Sequence, residues 1–293
     1  MSAPIAAIVV PAYNCAKTIR GALDSIANAI AFHKSLADGT FEIIVVDDAS
    51  TDATPTVAAD WAAARGDTTI VRLAQNAGSP QARNAGAARA MAPLLFFLDA
   101  DDEFLAPHLY CCIETMSGLP DAGYARPNLA FDADIHPTWQ AALSSVQPSN
   151  LCVRKVCHDF IGGFFAHDYL RTFRVEDLVY TRMLTRYFAG VRLDLATALY
   201  RRYPGNAFDR QMAKFQRPVG EGPESLTAEE AHLEPLIEGM VVARLGELDR
   251  AARYTSPAGP PRCYSDAKPP VWYARDIGTW LDGKLKMRGK SAR

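Results

Sequence analysis

Short apolar runs alternate along the first third of the chain with longer stretches in which apolar positions recur every three or four residues. Residues 5–10, Ile-Ala-Ala-Ile-Val-Val, form an unbroken apolar run that reads as a buried strand. A helix is predicted from Ala16 to about Ala37, with Ile19, Leu23, Ile26 and Ile30 on one face. The pattern then repeats: a strand over 41–46, a helix through Val57 and Trp61, and a strand near 69–73. An alanine-rich helix from Ser79 to about Ala90 and a strand over 94–98 follow. Strands spaced by helices imply right-handed crossovers. The expected fold is therefore α/β, a Rossmann-like, mostly parallel sheet with helices on both faces.

In open sheets of this kind ligands bind outside the carboxyl ends of the strands. Three polar clusters fall at such ends: Pro11-Ala12-Tyr13-Asn14, Asp47-Asp48, and Asp99-Ala100-Asp101-Asp102. The last follows directly on Leu94-Leu95-Phe96-Phe97-Leu98, so a buried strand delivers three carboxylates to the rim. Carboxylates packed this closely need a cation, a basic partner or a raised pKa. Hard oxygen ligands suit Mg²⁺ or Mn²⁺, which lean on one or two carboxylates plus substrate phosphates, and that points to a nucleoside-diphosphate substrate. For the cluster taken alone, an acidic helix start ahead of Pro107 is the competing explanation.

Composition narrows the field. The 293 residues, 49% apolar and 22% charged, support one large domain or two smaller ones with a real core. A formal charge of -2 and a pI near 6.3 leave no electrostatic footprint for nucleic acid, so none is expected as a partner. Lys284, Lys286, Arg288, Lys290 and Arg293 form a basic terminal cluster that reads as a solvated tail, with contact to an anionic membrane surface as the alternative. The six cysteines, Cys15, Cys111, Cys112, Cys152, Cys157 and Cys263, show no C-x-x-C pair and no Cys/His metal spacing, as befits a reducing compartment. No basic region precedes the first apolar run, and no apolar run approaches about 18 residues. The expectation is a cytoplasmic protein without a signal peptide or membrane span, peripheral contact at the inner face of the membrane being the alternative.

Four blocks in order resemble the inverting glycosyltransferases of family 2, which have the GT-A fold. They are Ile8-Val9-Val10-Pro11-Ala12-Tyr13-Asn14, Ile44-Val45-Val46-Asp47-Asp48-Ala49-Ser50-Thr51-Asp52, Asn76-Ala77-Gly78-Ser79-Pro80-Gln81-Ala82-Arg83-Asn84-Ala85-Gly86, and Phe97-Leu98-Asp99-Ala100-Asp101-Asp102. Two further blocks are similar: Asn150-Leu151-Cys152-Val153-Arg154-Lys155 leading to Ile161-Gly162-Gly163-Phe164, and Glu176-Asp177. The resemblance covers roughly residues 5 to 205. It implies a metal-dependent transfer of a single sugar from a nucleoside-diphosphate sugar, a UDP-sugar foremost, to a hydroxyl-bearing acceptor. A glycan, a lipid-linked glycan, a small molecule or a peptide would serve as that acceptor.

The resemblance also distributes roles. Asp47 and Asp48 become candidates for the pyrimidine edge, with Pro11, Ala12, Tyr13 and Asn14 lining the same pocket. Asn76 and Arg83 would lie near the nucleotide and its phosphates, where a guanidinium fits phosphate as a fork. Asp99, Ala100 and Asp101 would meet the sugar nucleotide, and Asp101 and Asp102 the Mn²⁺ or Mg²⁺. Asp177 becomes the general base, at the start of a helix whose apolar face carries Leu178, Met183 and Leu184.

The chain departs from the family pattern in two places. Phe165-Ala166-His167-Asp168 and a basic run at Arg171 and Arg174 follow Gly-Gly-Phe, where relatives carry an acidic segment. Tyr203 stands where a family loop often has a metal-binding His, so no His ligand is expected from that loop. The Gln-x-x-Arg-Trp motif and membrane helices of processive polysaccharide synthases are missing, which favours single-sugar addition.

Beyond about residue 215 the resemblance ends. Thr227-Ala228-Glu229-Glu230 matches a capping box, and Leu233, Leu236, Ile237, Met240, Val241, Leu245 and Leu248 make an apolar stripe for the core or for an identical subunit. Residues 254–270 read as a Pro/Gly-rich linker, and Val271-Trp272-Tyr273 with Ile277, Trp280 and Leu281 as a short amphipathic helix, docked on the core or on a membrane surface. The expected organisation is 1–105 as the nucleotide-sugar-binding half of a GT-A domain, 106–215 as its acceptor and base half, and 216–293 as a helical extension. Two rivals remain. A dehydrogenase would need a Gly-x-Gly-x-x-Gly turn after the first strand, which this chain lacks. A catalytically silent nucleotide-sugar-binding homologue would keep the rim but not turn over.

Overall fold

The computed structural model describes residues 3–135, 137–167, 176–203, 228–254 and 271–273. The first half alternates as the pattern predicts: β1 (Ala6–Ala12), α1 (Ile19–Leu36), β2 (Phe41–Asp47), α2 (Thr54–Ala62), β3 (Thr68–Arg72), α3 (Ser79–Arg89) and β4 (Leu94–Phe97). Helix α1 begins three residues later than expected, because the Cys15 carbonyl first accepts from the Thr18 and Ile19 amides in a turn. The second half runs β5 (Glu103–Phe104), α4 (His108–Gly118), β6 (Tyr124–Phe131), α5 (Pro137–Val146), a 3₁₀ turn (Pro148–Asn150), β7 (Cys152–Arg154), α6 (Lys155–Ile161), α7 (Glu176–Tyr187) and β8 (Gly190–Tyr200). Helix α8 (Ala228–Tyr254) and β9 (Val271–Tyr273) complete the described residues.

One sheet takes in all nine strands of the described residues, in the order β3-β2-β1-β4-β7-β6-β8-β5, with β9 also on β8. Strands β3, β2, β1 and β4 are mutually parallel, so the ends of β1, β2 and β4 open on one rim. The sense reverses at β7, antiparallel to both β4 and β6, while β8 runs parallel to β6. This is a mixed α/β sheet.

The sheet divides the core into two layers. On one face, Ile8, Val10, Ile43, Val45 and Phe96 meet the buried stripe of α1, Ile19, Leu23, Ile26 and Ile30. Full burial of such a side chain stabilises the fold by about 1.5–3 kcal/mol, so the stripe alone sets the position of α1. On the other face, Val9, Val46 and Phe97 pack with α3, α6 and α7. There α3 comes so close to β1 that a Cβ on Gly86 would run into the Val9 side chain. Glycine at 86 is therefore a packing requirement.

Helix α8 docks its stripe on the same chain, burying Val241 and Leu248 and packing Met240 and Leu245 on the second layer, while Leu236 stays exposed. It continues through Pro235, which lacks a helix N–H to donate. Tyr187 of α7 donates its hydroxyl to Asp249 at 2.7 Å, and Arg182 pairs with Glu238 at 2.6 Å. The amphipathic helix expected from 271 is corrected over Val271–Tyr273, which form a strand parallel to residues 190–192 of β8. Val, Trp and Tyr are strong strand formers, and the edge of β8 offers unpaired backbone groups. Ile277, Trp280, Leu281, the 255–270 linker, the basic tail, Cys263, Asp168, Arg171 and Arg174 lie outside the described residues. No helix among the described residues is long and apolar enough to cross a membrane.

Candidate active site

The rim is assembled from loops that brace one another. Asn14, in a left-handed conformation at φ 48°, donates its amide to Ser50 Oγ at 3.0 Å and accepts from the Thr51 amide at 2.8 Å. Asp47 turns back on its own loop, accepting from the Ser50 amide at 3.0 Å, and its other oxygen faces Arg72 at 3.4 Å. Asp48 is buried and gathers the next loop. Its oxygens accept from the Ala77 amide at 2.7 Å, the Gly78 amide at 2.8 Å and Asn76 Nδ2 at 3.0 Å. Pro11 and Ala12 lie buried beneath this surface, and Tyr13 projects from it, 49% exposed.

The aspartate cluster divides into three environments. Asp102 is buried, with Ser149 Oγ donating to one oxygen at 2.6 Å and the Arg201 amide to the other at 3.1 Å. Asp99 accepts from Arg83 Nη2 at 2.6 Å. Asp101 is half-buried beside them, next to Ala100 in the core. Burial, and then the charge of Asp99, pushes the Asp101 carboxyl up to about 6. Burial followed by repulsion from Asp101 and Asp99 raises Asp102 well above the carboxylate range.

Asp177 arrives from the other half. It sits in the first turn of α7, and its Oδ1 accepts from Arg83 Nη1 at 3.0 Å. One guanidinium thus joins the end of β4 to the start of α7. Burial raises the Asp177 carboxyl to about 7, Glu176 and Asp99 adding to the rise and Arg83 and Arg126 opposing it. Burial also works against the Arg83 charge, but Asp99 and Asp177 outweigh it and hold the guanidinium above its usual pKa.

A protein-family model, "Glycosyl transferase family 2", matches residues 7–180, more than half of the chain and every element named above from β1 to the start of α7. The chain belongs to glycosyltransferase family 2. A PGL/p-HBAD biosynthesis glycosyltransferase of Mycobacterium bovis is 35% identical over 102 residues, 35% of this chain and 37% of that protein. The chain thus matches little more than a third of that relative's length. Glycosyltransferase AglE of Haloferax volcanii is 25% identical over 238 residues, 75% of this chain and 73% of AglE. Among solved structures, S. aureus TarS 1-349 in complex with UDP-GlcNAc has a TM-score of 0.55 at 18% identity, covering 74% of this chain and 68% of TarS 1-349. The mannosyltransferase PcManGT of Pyrobaculum calidifontis, in complex with GDP-Man and Mn²⁺, has a TM-score of 0.56 at 17% identity, covering 87% and 77%. At these identities the structures establish a shared GT-A-type fold.

Within this family 2 frame, the carboxylates differ in their fitness for a cation. No three His, Cys, Asp or Glu side chains among the described residues converge to hold a metal unaided. Asp101 fits the role: half-buried, crowded by Asp99, and bonded by no side chain among the described residues. Each oxygen of Asp102 accepts one hydrogen bond, from Ser149 and from the Arg201 amide, and keeps a lone pair for a cation. One or two carboxylates plus a diphosphate make an ordinary Mg²⁺ or Mn²⁺ site. His167 lies 6.2 Å from the Phe165 ring, and Tyr203 is near enough to Asp101 for that charge to add to the effect of burial on its phenol.

Sequence reasoning missed several supports of the family 2 site. Phe164 of the Gly-Gly-Phe turn lies under Arg83, its ring centre 5.1 Å from the guanidinium carbon. Arg126, buried in β6, binds Asn150 Oδ1 at 2.9 Å and the Gln147 carbonyl, below α7. An arginine interrupting the apolar run Tyr124-Ala125-Arg126-Pro127 was the available signal. Ser149, between Asp99 and Asp102, left no signal in the pattern.

Proposed function

We propose that this family 2 protein is a metal-dependent, inverting glycosyltransferase that moves one sugar from a nucleoside-diphosphate sugar, a UDP-sugar first, to a hydroxyl-bearing acceptor. The observation that carries the reading is the pairing across Arg83 of a rim carboxylate, Asp99, with a carboxylate at a helix start, Asp177, whose pKa near 7 suits a base at neutral pH. TarS has been solved with UDP and with UDP-GlcNAc, and PcManGT with GDP-Man and Mn²⁺, which supports a nucleotide-sugar donor.

On this reading Pro11, Ala12, Tyr13, Asn14, Asp47, Asp48 and Asn76 frame the nucleobase pocket, with Asp48 shaping the loop that Asn76 belongs to. Asp99 and Asp101 meet the ribose and diphosphate. A Mn²⁺ or Mg²⁺ held by Asp101 and Asp102 would neutralise charge on the departing diphosphate. The acceptor oxygen attacks the anomeric carbon from the face opposite the diphosphate, and Asp177 takes the acceptor's proton as that bond forms. The bond from the anomeric carbon to the phosphate oxygen breaks with its electron pair leaving on the diphosphate, so the anomeric configuration inverts.

The test is a panel of UDP- and GDP-sugars with Mn²⁺, read by thermal stabilisation and by release of nucleoside diphosphate. The expected result is stabilisation and slow hydrolysis with a UDP-sugar. If no donor does either, the proposal fails. Stabilisation without turnover of any donor would identify a silent binding homologue instead.

A further inference from the structure

Arg83 stands where the two halves of the site meet, buried between two carboxylates and the Phe164 ring. Nη2 donates to Asp99 at 2.6 Å and Nη1 to Asp177 at 3.0 Å. Beneath it the Phe164 ring stacks on Tyr180 at 4.0 Å, and the Tyr180 hydroxyl meets His158 Nδ1 at 2.9 Å. Asn84, next along α3, clamps Phe164 by accepting from its amide at 2.8 Å and donating to its carbonyl at 2.7 Å. The side chain is 3% exposed, so a phosphate has almost no surface of Arg83 to approach.

We propose that Arg83 is the positioning residue for the base: it holds Oδ1 of Asp177, leaves Oδ2 to take the acceptor's proton, and ties that carboxylate to the donor-side Asp99. This rests on Asp177 being the base. Among the described residues the Asp177 carboxylate is oriented by this contact, Oδ1 accepting from Arg83 Nη1 at 3.0 Å. A planar fork reaches both carboxylates at once, whereas a lysine ammonium on a flexible stem is a single point charge. Among the described residues, the charged and titratable groups facing Asp177 are Glu176 on its own helix, Arg83 from α3, Asp99 after β4, Arg126 from β6 and Tyr200 from β8. Without Arg83, Asp177 would keep Arg126 as its one cation among these groups, with Glu176 and Asp99 still repelling it.

The experiment uses the full chain with Mn²⁺, following UDP release from UDP-glucose or UDP-N-acetylglucosamine against pH, and Mn²⁺–UDP binding by calorimetry. Arg83→Gln is expected to move the acid limb of kcat to higher pH by about half a unit or more, because a cation that favours the ionised base is gone. It should cut kcat at pH 7 by about tenfold or more while UDP affinity changes by less than about threefold. An unmoved limb with donor KM raised and UDP affinity lost would overturn the inference and make Arg83 a phosphate ligand. Arg83→Lys keeps the charge, so its limb should stay in place while kcat falls. Wild-type kcat in Arg83→Lys, or a loss confined to UDP binding, would also overturn it, and this variant decides the matter if Arg83→Gln does not fold. Asp177→Asn keeps the two claims apart: wild-type turnover there refutes the base, whatever Arg83 variants do.

Discussion

The two halves of the site are built by different means. The donor side, β1 to β4 with the loops that follow, is made of parallel strands whose ends reach one rim within a hundred residues of chain. Asn14 and Asp48 there are held by backbone amides and short polar side chains of adjacent loops. The base side depends on contacts over long separations: Asp177 meets Arg83 across 94 residues, and Glu176 meets Ser79 across 97. Local pattern can specify the first arrangement, and the second exists only once the sheet has reversed at β7. Perturbing the donor side should therefore cost stability and nucleotide affinity together, whereas perturbing the base side should separate rate from binding.

The largest expected effect is on the base side. Asp177→Asn should lower kcat by about 10² to 10⁴ with Mn²⁺–UDP affinity nearly unchanged, measured by UDP release and calorimetry. If affinity falls as far as rate, the contrast between the halves fails.

Asp48→Ala gives the complementary result. It strips three N–H donors of a buried acceptor, and hydrogen bonds to a charged group are worth about 1.5–3 kcal/mol each before relaxation. Loss of roughly 3 kcal/mol would lower Tm by several degrees, with UDP affinity weakened in parallel. A variant with unchanged Tm would show that Asp48 does not hold the loop.

The pH profile comes next in size. With Asp177 raised to about 7, kcat for UDP release should rise through pH 7 and fall about tenfold per unit on the acid side. The same shift acts on stability with a definite sign. The folded carboxyl binds its proton more tightly than the unfolded one, so this group costs stability as pH rises from its ordinary 3.8 towards 7. A flat rate profile between pH 5 and 8 would remove Asp177 from the rate-determining proton transfer.

The smallest effect belongs to the extension. Tyr187→Phe removes the hydroxyl that donates to Asp249 and lies 3.0 Å from the Leu245 carbonyl, and should cost about 1 kcal/mol with kcat unchanged. A drop in kcat would mean that the docking of α8 reaches through α7 to the base.

Much of this was legible from residues alone. The apolar runs placed β1, β2 and β4 within a residue or two, since strands buried on both faces must be apolar throughout. The apolar stripe of the last helix was also readable as a docking face, and Val241 and Leu248 bear that out. Val271–Tyr273 went the other way: three residues carry too little periodicity to tell a helix from a strand, and the edge of β8 decided it.

The sequence by itself determined the alternating sheet, the rim on which the acidic clusters collect, and the family, because each follows from short-range pattern or from ordered blocks. Tertiary structure alone decided how the carboxylates differ: Asp48 turned into a loop clamp, Asp102 held by Ser149 and the Arg201 amide, Asp101 left open, and Asp99 and Asp177 joined by one arginine. Identical side chains acquire different chemistry only from the donors, charges and burial around them, and those neighbours come from remote parts of the chain.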